Sequence, residues 1–242
     1  MKKRTLALLC IVLVFVSLFS GCGFMAASEL LTLPAQPSEY AALQSAINQV
    51  INAGAEYSSP VSGSRRQSVQ MVDLDADGTQ EAIAFFKTME EKPLKVCIFK
   101  QNDKDWNIVS EITGEGSAFD SVELIRLTKE STIFLAIGWQ IGGDFTCAMS
   151  VYSLKDLKPV DIGSFNYDEY RVYDADGDTA SEILAVTSPS SESKGVVSLY
   201  KYDGSVVQNV SQAELTNGAG SVKVVKTGYL KNYTPALYVM ST

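Results

Sequence analysis

One short pattern recurs along this chain at a nearly constant interval. Glu81 begins Glu-Ala-Ile-Ala-Phe, Thr132 begins Thr-Ile-Phe-Leu-Ala, Glu182 begins Glu-Ile-Leu-Ala-Val and Pro235 begins Pro-Ala-Leu-Tyr-Val. The starts lie 51, 50 and 53 residues apart. Each full unit runs on to a second apolar stretch that ends in an aromatic residue: Phe99, Tyr152, and Tyr200 or Tyr202. Beyond Ser59 no helical periodicity persists. β-rich runs alternate with turns over 94–100, 106–112, 120–127, 132–138, 145–153, 182–187, 195–202, 205–210, 221–227 and 236–240. Asn102-Asp103-Lys104-Asp105, Gly142-Gly143-Asp144 and Asp203-Gly204 supply plausible hairpin turns between them.

Many short strands in sequence predict an all-β domain over residues 60–242. Units of about 50 residues with about four strands fit the blades of a β-propeller. They start near Val69, Val122, Tyr170 and Val222, and the fourth holds only two recognisable strands. The expectation is an incomplete array of about three and a half propeller-like blades, as an open arc or as part of a longer protein. Its final run, Ala236 to Met240, would then be an apolar edge that promotes association.

Two of the four units open on an acidic ladder. Asp73, Asp75, Asp77 and Glu81 occupy relative positions 1, 3, 5 and 9, and Asp174, Asp176, Asp178 and Glu182 repeat them 101 residues later. Four carboxylates within nine residues repel one another, and desolvation worsens the conflict. A hard divalent cation removes it, because Ca2+ takes six to eight oxygen ligands from carboxylates, carbonyls and water. Thr79 and Ala180, seventh in their loops, complete the expected ligand sets. A solvated polar turn can carry one such ladder; two with the same spacing, each leading into an apolar strand, point to a cation. An EF-hand is excluded, since position 12 is Ala84 in one loop and Ala185 in the other.

Asp-Leu-Asp-Ala-Asp-Gly-Thr-Gln-Glu (73–81) and Asp-Ala-Asp-Gly-Asp-Thr-Ala-Ser-Glu (174–182) resemble the calcium loops of FG-GAP and VCBS-type repeats, the propeller repeats of integrin α-chains and many bacterial surface proteins. The family pattern is Asp-x-Asp-Gly-Asp-Gly-x-x-Asp. The first loop keeps only the second glycine, Gly78, and the second keeps only the first, Gly177. Both end in Glu instead of Asp. The resemblance implies structural Ca2+ in units one and three. Units two and four, with Thr128-Lys129-Glu130-Ser131-Thr132 and Tyr229 to Pro235 at the corresponding places, lack the ladder and should be metal-free.

The N-terminus points to the cell envelope. Lys2, Lys3 and Arg4 precede an unbroken apolar stretch from Leu6 to Val16, the layout of a secretion signal rather than a spanning helix. Phe19-Ser20-Gly21-Cys22 resembles the lipobox of bacterial lipoproteins. The resemblance implies cleavage after residue 21, a lipidated Cys22 and a protein held on the extracytoplasmic face of the membrane, where several acyl chains anchor stably. Residues 22–37, with Pro34 and Pro37, read as a tether. Over 38–54, Tyr40, Leu43, Ile47, Val50 and Ile51 form an apolar stripe, with Ser38 as a start signal and Gly54 as a stop. The helix's polar face has no Lys or Arg, so its stripe should pack on the domain and not on a membrane.

Composition removes several functions. Without residues 1–21 the chain carries 17 basic and 28 acidic residues, a net charge of −11, which argues against nucleic acid as a partner. It has no histidine, which excludes Ser-His-Asp and Cys-His catalysis and His-ligated zinc or iron. Cys97 and Cys147 fit either a disulfide or two buried free thiols. Ser191-x-x-Lys194 and Lys226-Thr227-Gly228 match penicillin-binding-protein motifs but lie 35 residues apart with no Ser-x-Asn between them, a coincidence.

What remains is a binding module for a protein or glycan ligand. Trp139, Gln140 and Asp144 form a candidate ligand loop, with a core role for Trp139 as the competing reading. The alternative function is a carbohydrate-active enzyme, since propellers also host glycosidases and lyases and fold alone does not decide. No second acidic cluster is visible in the sequence. Two carboxylates facing each other across a groove away from both loops would favour hydrolysis.

Overall fold

The computed structural model describes residues 38–142, 146–189, 194–215, 222–229 and 235–241. The signal, the tether and Cys22 lie outside the described residues. Among the described residues a single helix, α1 (Ser38–Asn52), precedes fifteen strands, so the described part is all-β apart from that helix. No described helix is long and apolar enough to cross a membrane.

Three antiparallel sheets share one plan, in which strands follow each other in chain order. The first holds β1 (Glu56–Tyr57), β2 (Val69–Val72), β3 (Glu81–Lys87), β4 (Leu94–Asn102) and β5 (Asp105–Gly114). Here β1 and β2 share one edge of β3: Tyr57 pairs with Phe86, and Val69 with Ala84. They act as one interrupted outer strand. The second sheet is β6 (Ala118–Ile125), β7 (Phe134–Gln140), β8 (Cys147–Lys155) and β9 (Lys158–Tyr167). The third is β10 (Glu169–Tyr173), β11 (Glu182–Thr187), β12 (Val196–Tyr202) and β13 (Val207–Glu214). A two-stranded sheet, β14 (Val222–Tyr229) with β15 (Pro235–Ser241), completes the described elements. The described strands form open sheets with no closed barrel.

The second strand of each full sheet is apolar on both faces, and the packing shows why. Alternate side chains point to opposite faces of a strand. Ile83 and Phe85 of β3 join Leu135, Ile137 and Trp139 of β7 in a cluster shared by the first and second sheets. Phe134 and Ala136 of β7 join Ile183 and Ala185 of β11 in a cluster shared by the second and third. The first and second sheets thus each bury one face against the sheet that follows, and every fully buried Phe or Ile contributes about 1.5–3 kcal/mol.

The outward face of the first sheet is covered by α1. Its small Ala82 and Ala84 leave room for Leu43 and Ile47, which pack with Phe86, Phe99 and Trp106. Leu43, Ile47, Val50 and Ile51 of the helical stripe pack on the domain, with Ile47 only 2% exposed, whereas Tyr40 at its start is 47% exposed. Cys97 and Cys147 are both buried free thiols on different sheets. Burial pushes each up to about 12, far from the thiolate form.

Candidate metal centres

Both acidic ladders lie between the first and second strands of their sheets, β2 to β3 and β10 to β11. They fold alike residue by residue. The fourth and sixth positions have positive φ in both loops: Ala76 at 59° and Gly78 at 89°, Gly177 at 81° and Thr179 at 75°. Each loop keeps one glycine, at opposite places, and the backbone takes the left-handed conformation at both places regardless.

The hydrogen bonds repeat as well. The position-6 amide donates to the first aspartate, Gly78 N to Asp73 Oδ2 at 3.1 Å and Thr179 N to Asp174 Oδ2 at 2.9 Å. Position 5 donates to position 3, Asp77 N to Asp75 Oδ1 at 3.3 Å and Asp178 N to Asp176 Oδ1 at 3.2 Å. Position 7 donates to position 5, Thr79 N to Asp77 Oδ1 at 2.8 Å and Ala180 N to Asp178 Oδ1 at 2.9 Å. The Thr79 hydroxyl donates to the same Asp77 oxygen. The final glutamate closes each loop, accepting from Leu74 N at 2.9 Å and from Ala175 N at 2.8 Å.

This framework gathers acidic oxygens. One carboxylate oxygen each from Asp73, Asp75 and Glu81 lie within 4.8 Å of one another, and Asp174, Asp176 and Glu182 do the same. Glu81 and Glu182 are buried, and the Oε1 of each accepts from no amide or hydroxyl and is attended only by a lysine ammonium, 3.3 Å away at Glu81 and 3.1 Å away at Glu182. The buried Asp73 Oδ1 has no donor, whereas Asp174 Oδ1 accepts from Gly177 N at 2.7 Å. Burial pushes the Glu81 carboxyl above its ordinary value, against the pull of the Leu74 amide and of Lys100. A buried carboxylate oxygen without a donor is costly unless a cation attends it. These donor sets are hard oxygens, and they fit Ca2+. Asp73, Asp75 and Glu81 would hold one ion and Asp174, Asp176 and Glu182 another, each ion offsetting part of its loop's negative charge and tying two strands together.

Of the eight carboxylates expected as ligands, six therefore converge. Asp77 and Asp178 instead spend an oxygen on the amide of position 7. Thr79 and Ala180 serve as the donors of those bonds.

Each centre also holds one lysine that the sequence alone did not single out. Lys100 Nζ lies 2.7 Å from Asp75 Oδ2, 2.7 Å from Asp77 Oδ2 and 3.3 Å from Glu81 Oε1. Lys201 Nζ lies 2.6 Å from Asp176 Oδ2, 3.1 Å from Glu182 Oε1 and 3.8 Å from Asp178 Oδ2. The lysine and the Thr79 donors hold Asp77 down at about 2, and Lys201 lowers Asp176 in the same way. The signal was present in the sequence: both lysines directly follow the aromatic residue of their unit, Phe99 or Tyr200, and stand 101 residues apart.

Trp139 takes the core role that competed with ligand binding. Trp139 is 4% exposed, leans on Phe119 with ring centroids 5.5 Å apart and donates its indole N–H to Ser150 Oγ at 3.2 Å. Its ring is spent on the core between the first two sheets. Gln140 is half-buried at the end of β7, and Asp144 lies outside the described residues.

The structure does assemble a second acidic cluster that linear reading did not reveal. A groove of about 430 Å³ is lined by Asp120, Glu123, Asp168 and Glu169 with Tyr167 and Tyr170, and by no residue of either loop. Tyr167 donates to Asp120 Oδ2 at 2.6 Å and Tyr170 to Glu123 Oε1 at 3.1 Å. Burial raises both tyrosines well above their ordinary value, so they act as protonated donors. No family model matches this chain, and no curated protein matches it.

Proposed function

We propose that this chain is a lipid-anchored extracytoplasmic binding module, with a protein or glycan ligand at the cell surface, built on FG-GAP/VCBS-type repeats stiffened by two Ca2+ ions. The observation that carries the reading is the duplication. Two loops 101 residues apart repeat the same φ pattern, share the same framework of amide-to-carboxylate hydrogen bonds and bury the same glutamate at their ninth position. Three sheets of one strand order and a two-stranded remainder support a propeller-like array of three and a half blades. The basic start, apolar core and Phe19-Ser20-Gly21-Cys22 support anchoring through Cys22. Calcium here is structural, since it cross-links the first and second strands of a unit and frees the connecting faces for a ligand.

The groove at Asp120, Glu123 and Glu169 favours a second reading, a carbohydrate-active enzyme. A glycosidase needs two carboxyl groups set for acid and base or nucleophile. The tyrosine hydrogen bonds to Asp120 and Glu123 speak for a fixed polar network instead, and the binding reading is preferred. Probing glycan and surface-protein arrays with the protein tests it. Specific retention without turnover of the retained ligand is the expected result; release of reducing ends from a bound glycan would favour the enzyme.

A further inference from the structure

The two ammonium groups occupy the place where each loop concentrates its negative charge. A lysine offers three N–H donors and a point charge on a flexible four-carbon stem. Lys100 donates to positions 3 and 5 of the first ladder and lies in ion-pair range of position 9, and Lys201 lies within ion-pair range of the same three positions of the second. Both come from the strand paired with the one that the glutamate begins. Ala82 pairs with Phe99 and Ile183 with Tyr200, so Lys100 and Lys201 follow the partners of the residues after Glu81 and Glu182.

The second sheet supplies an internal control. There Leu135 pairs with Tyr152 and Phe134 with Ser153. Where the ladder's glutamate is replaced by Phe134, the lysine is replaced by Ser153. Lysine and ladder are present together in two sheets and absent together from the third.

We propose that Lys100 and Lys201 are resident cations that compete with Ca2+ for the two loops. The proposal rests on the calcium reading above and adds to it a device that sets affinity. Without metal, each ammonium supplies the counter-charge that keeps four carboxylates folded together. When Ca2+ enters, its two charges and larger coordination number take over the oxygens of positions 3 and 9, and the lysine swings into solvent. That exit is open, because the Lys100 and Lys201 side chains are 30% and 35% exposed. A site filled nine-tenths of the time by its own lysine binds an incoming ion about tenfold more weakly than the same site left free. The loops would therefore respond to the high Ca2+ of an extracellular setting and stay folded when it falls.

The test is a Ca2+ titration of the detergent-solubilised full chain, with variants Lys100→Met and Lys201→Met singly and together. Each single variant should tighten one of two sites by about tenfold or more. In chelator each should melt below wild type, and saturating Ca2+ should close that gap. Lys129→Met controls for net charge, because Lys129 lies 4.0 Å from Asp178 at the margin of the second loop and is 69% exposed. It should change affinity less than twofold. In the wild-type chain, NMR of 13C-labelled lysine ε-methylenes should show two lysines, and no others, moving as Ca2+ is added, a readout independent of any variant's folding. Unchanged affinity in both Met variants, or an equal gain from Lys129→Met, would overturn the proposal while leaving calcium binding intact. Absence of Ca2+ binding by wild type and variants alike would overturn the calcium reading and this proposal with it.

Discussion

Thr179 holds a φ of 75° at the loop position where Gly78 holds 89°, and both donate their amide to the first aspartate of their loop. A β-branched residue in left-handed conformation is a genuine outlier and costs roughly 1–2 kcal/mol. Such strain persists where surrounding contacts over-determine the backbone. Thr179→Gly should relieve it, with part of the gain offset by the greater freedom of glycine in the unfolded chain. We expect a net stabilisation of about 1 kcal/mol in urea unfolding. A lower midpoint would mean that the Thr179 side chain contributes something its contacts do not show.

The periodic second strands were legible because they are apolar on both faces. Glu81, Glu182 and Pro235 are the first residues of β3, β11 and β15, and the helical stripe from Leu43 to Ile51 falls within Ser38–Asn52. The expected start at Thr132 is two residues early, since β7 begins at Phe134. β9 escaped notice because it is largely solvated, with Pro159, Asp161, Gly163 and Asn166 diluting its apolar residues. Its hairpin hides a left-handed Leu157 at φ 57°, a residue no turn signature predicts. The carboxylate ladders were readable as linear spacing. Their lysine partners share the ladders' 101-residue spacing, but the contact itself has no linear mark, because strand pairing brings Lys100 to Asp75 across 25 residues. The acidic groove was hidden for the same reason: Asp120 meets Tyr167 across 47 residues.

Gly114 is needed for lack of a side chain. A Cβ there would sit 2.3 Å from Cζ3 of Trp139 and 2.5 Å from its Cε3. The neighbour is a ring locked in the core, not a flexible chain end, so it cannot yield cheaply. Gly114→Ala should destabilise the protein by about 1–3 kcal/mol. It should also shift tryptophan emission to the red as Trp139 is displaced toward water. Unchanged emission would place Trp139 elsewhere than the first interface between sheets.

Asp168 is the single residue between β9 and β10, and so joins the second sheet to the third. Its Oδ1 accepts from the Thr146 amide at 3.2 Å and hydroxyl at 2.8 Å, and its Oδ2 accepts from Ser188 N at 2.6 Å. Burial alone would raise its pKa, but these hydrogen bonds outweigh burial and lower it. A depressed carboxyl contributes stability that is present above the unfolded value of about 3.9 and lost as pH falls through the folded value. Asp168→Asn should therefore cost about 1–3 kcal/mol at pH 7, with the deficit shrinking below about pH 4. A deficit equally large at pH 3 would contradict the assignment of a charged acceptor.

Lipid anchoring predicts that cells fed a labelled fatty acid incorporate it into this protein through Cys22. Cys22→Ser should abolish the label and leave the precursor uncleaved. Equal labelling of the two proteins would remove the lipoprotein reading, and would leave the two loops untouched.

Thermal melting in Ca2+ and in chelator decides whether both ladders bind calcium. Extracellular calcium modules bind at roughly 10⁻⁴–10⁻³ M, so titration to several times that range is required. An ion that binds only the folded state stabilises it by about 1.4 kcal/mol per site at ten times Kd. The melting temperature should rise with Ca2+, by about half as much in Asp75→Ala or Asp176→Ala alone, and not at all in the double variant. A wild-type melting temperature that does not move between chelator and saturating millimolar Ca2+ would contradict the account.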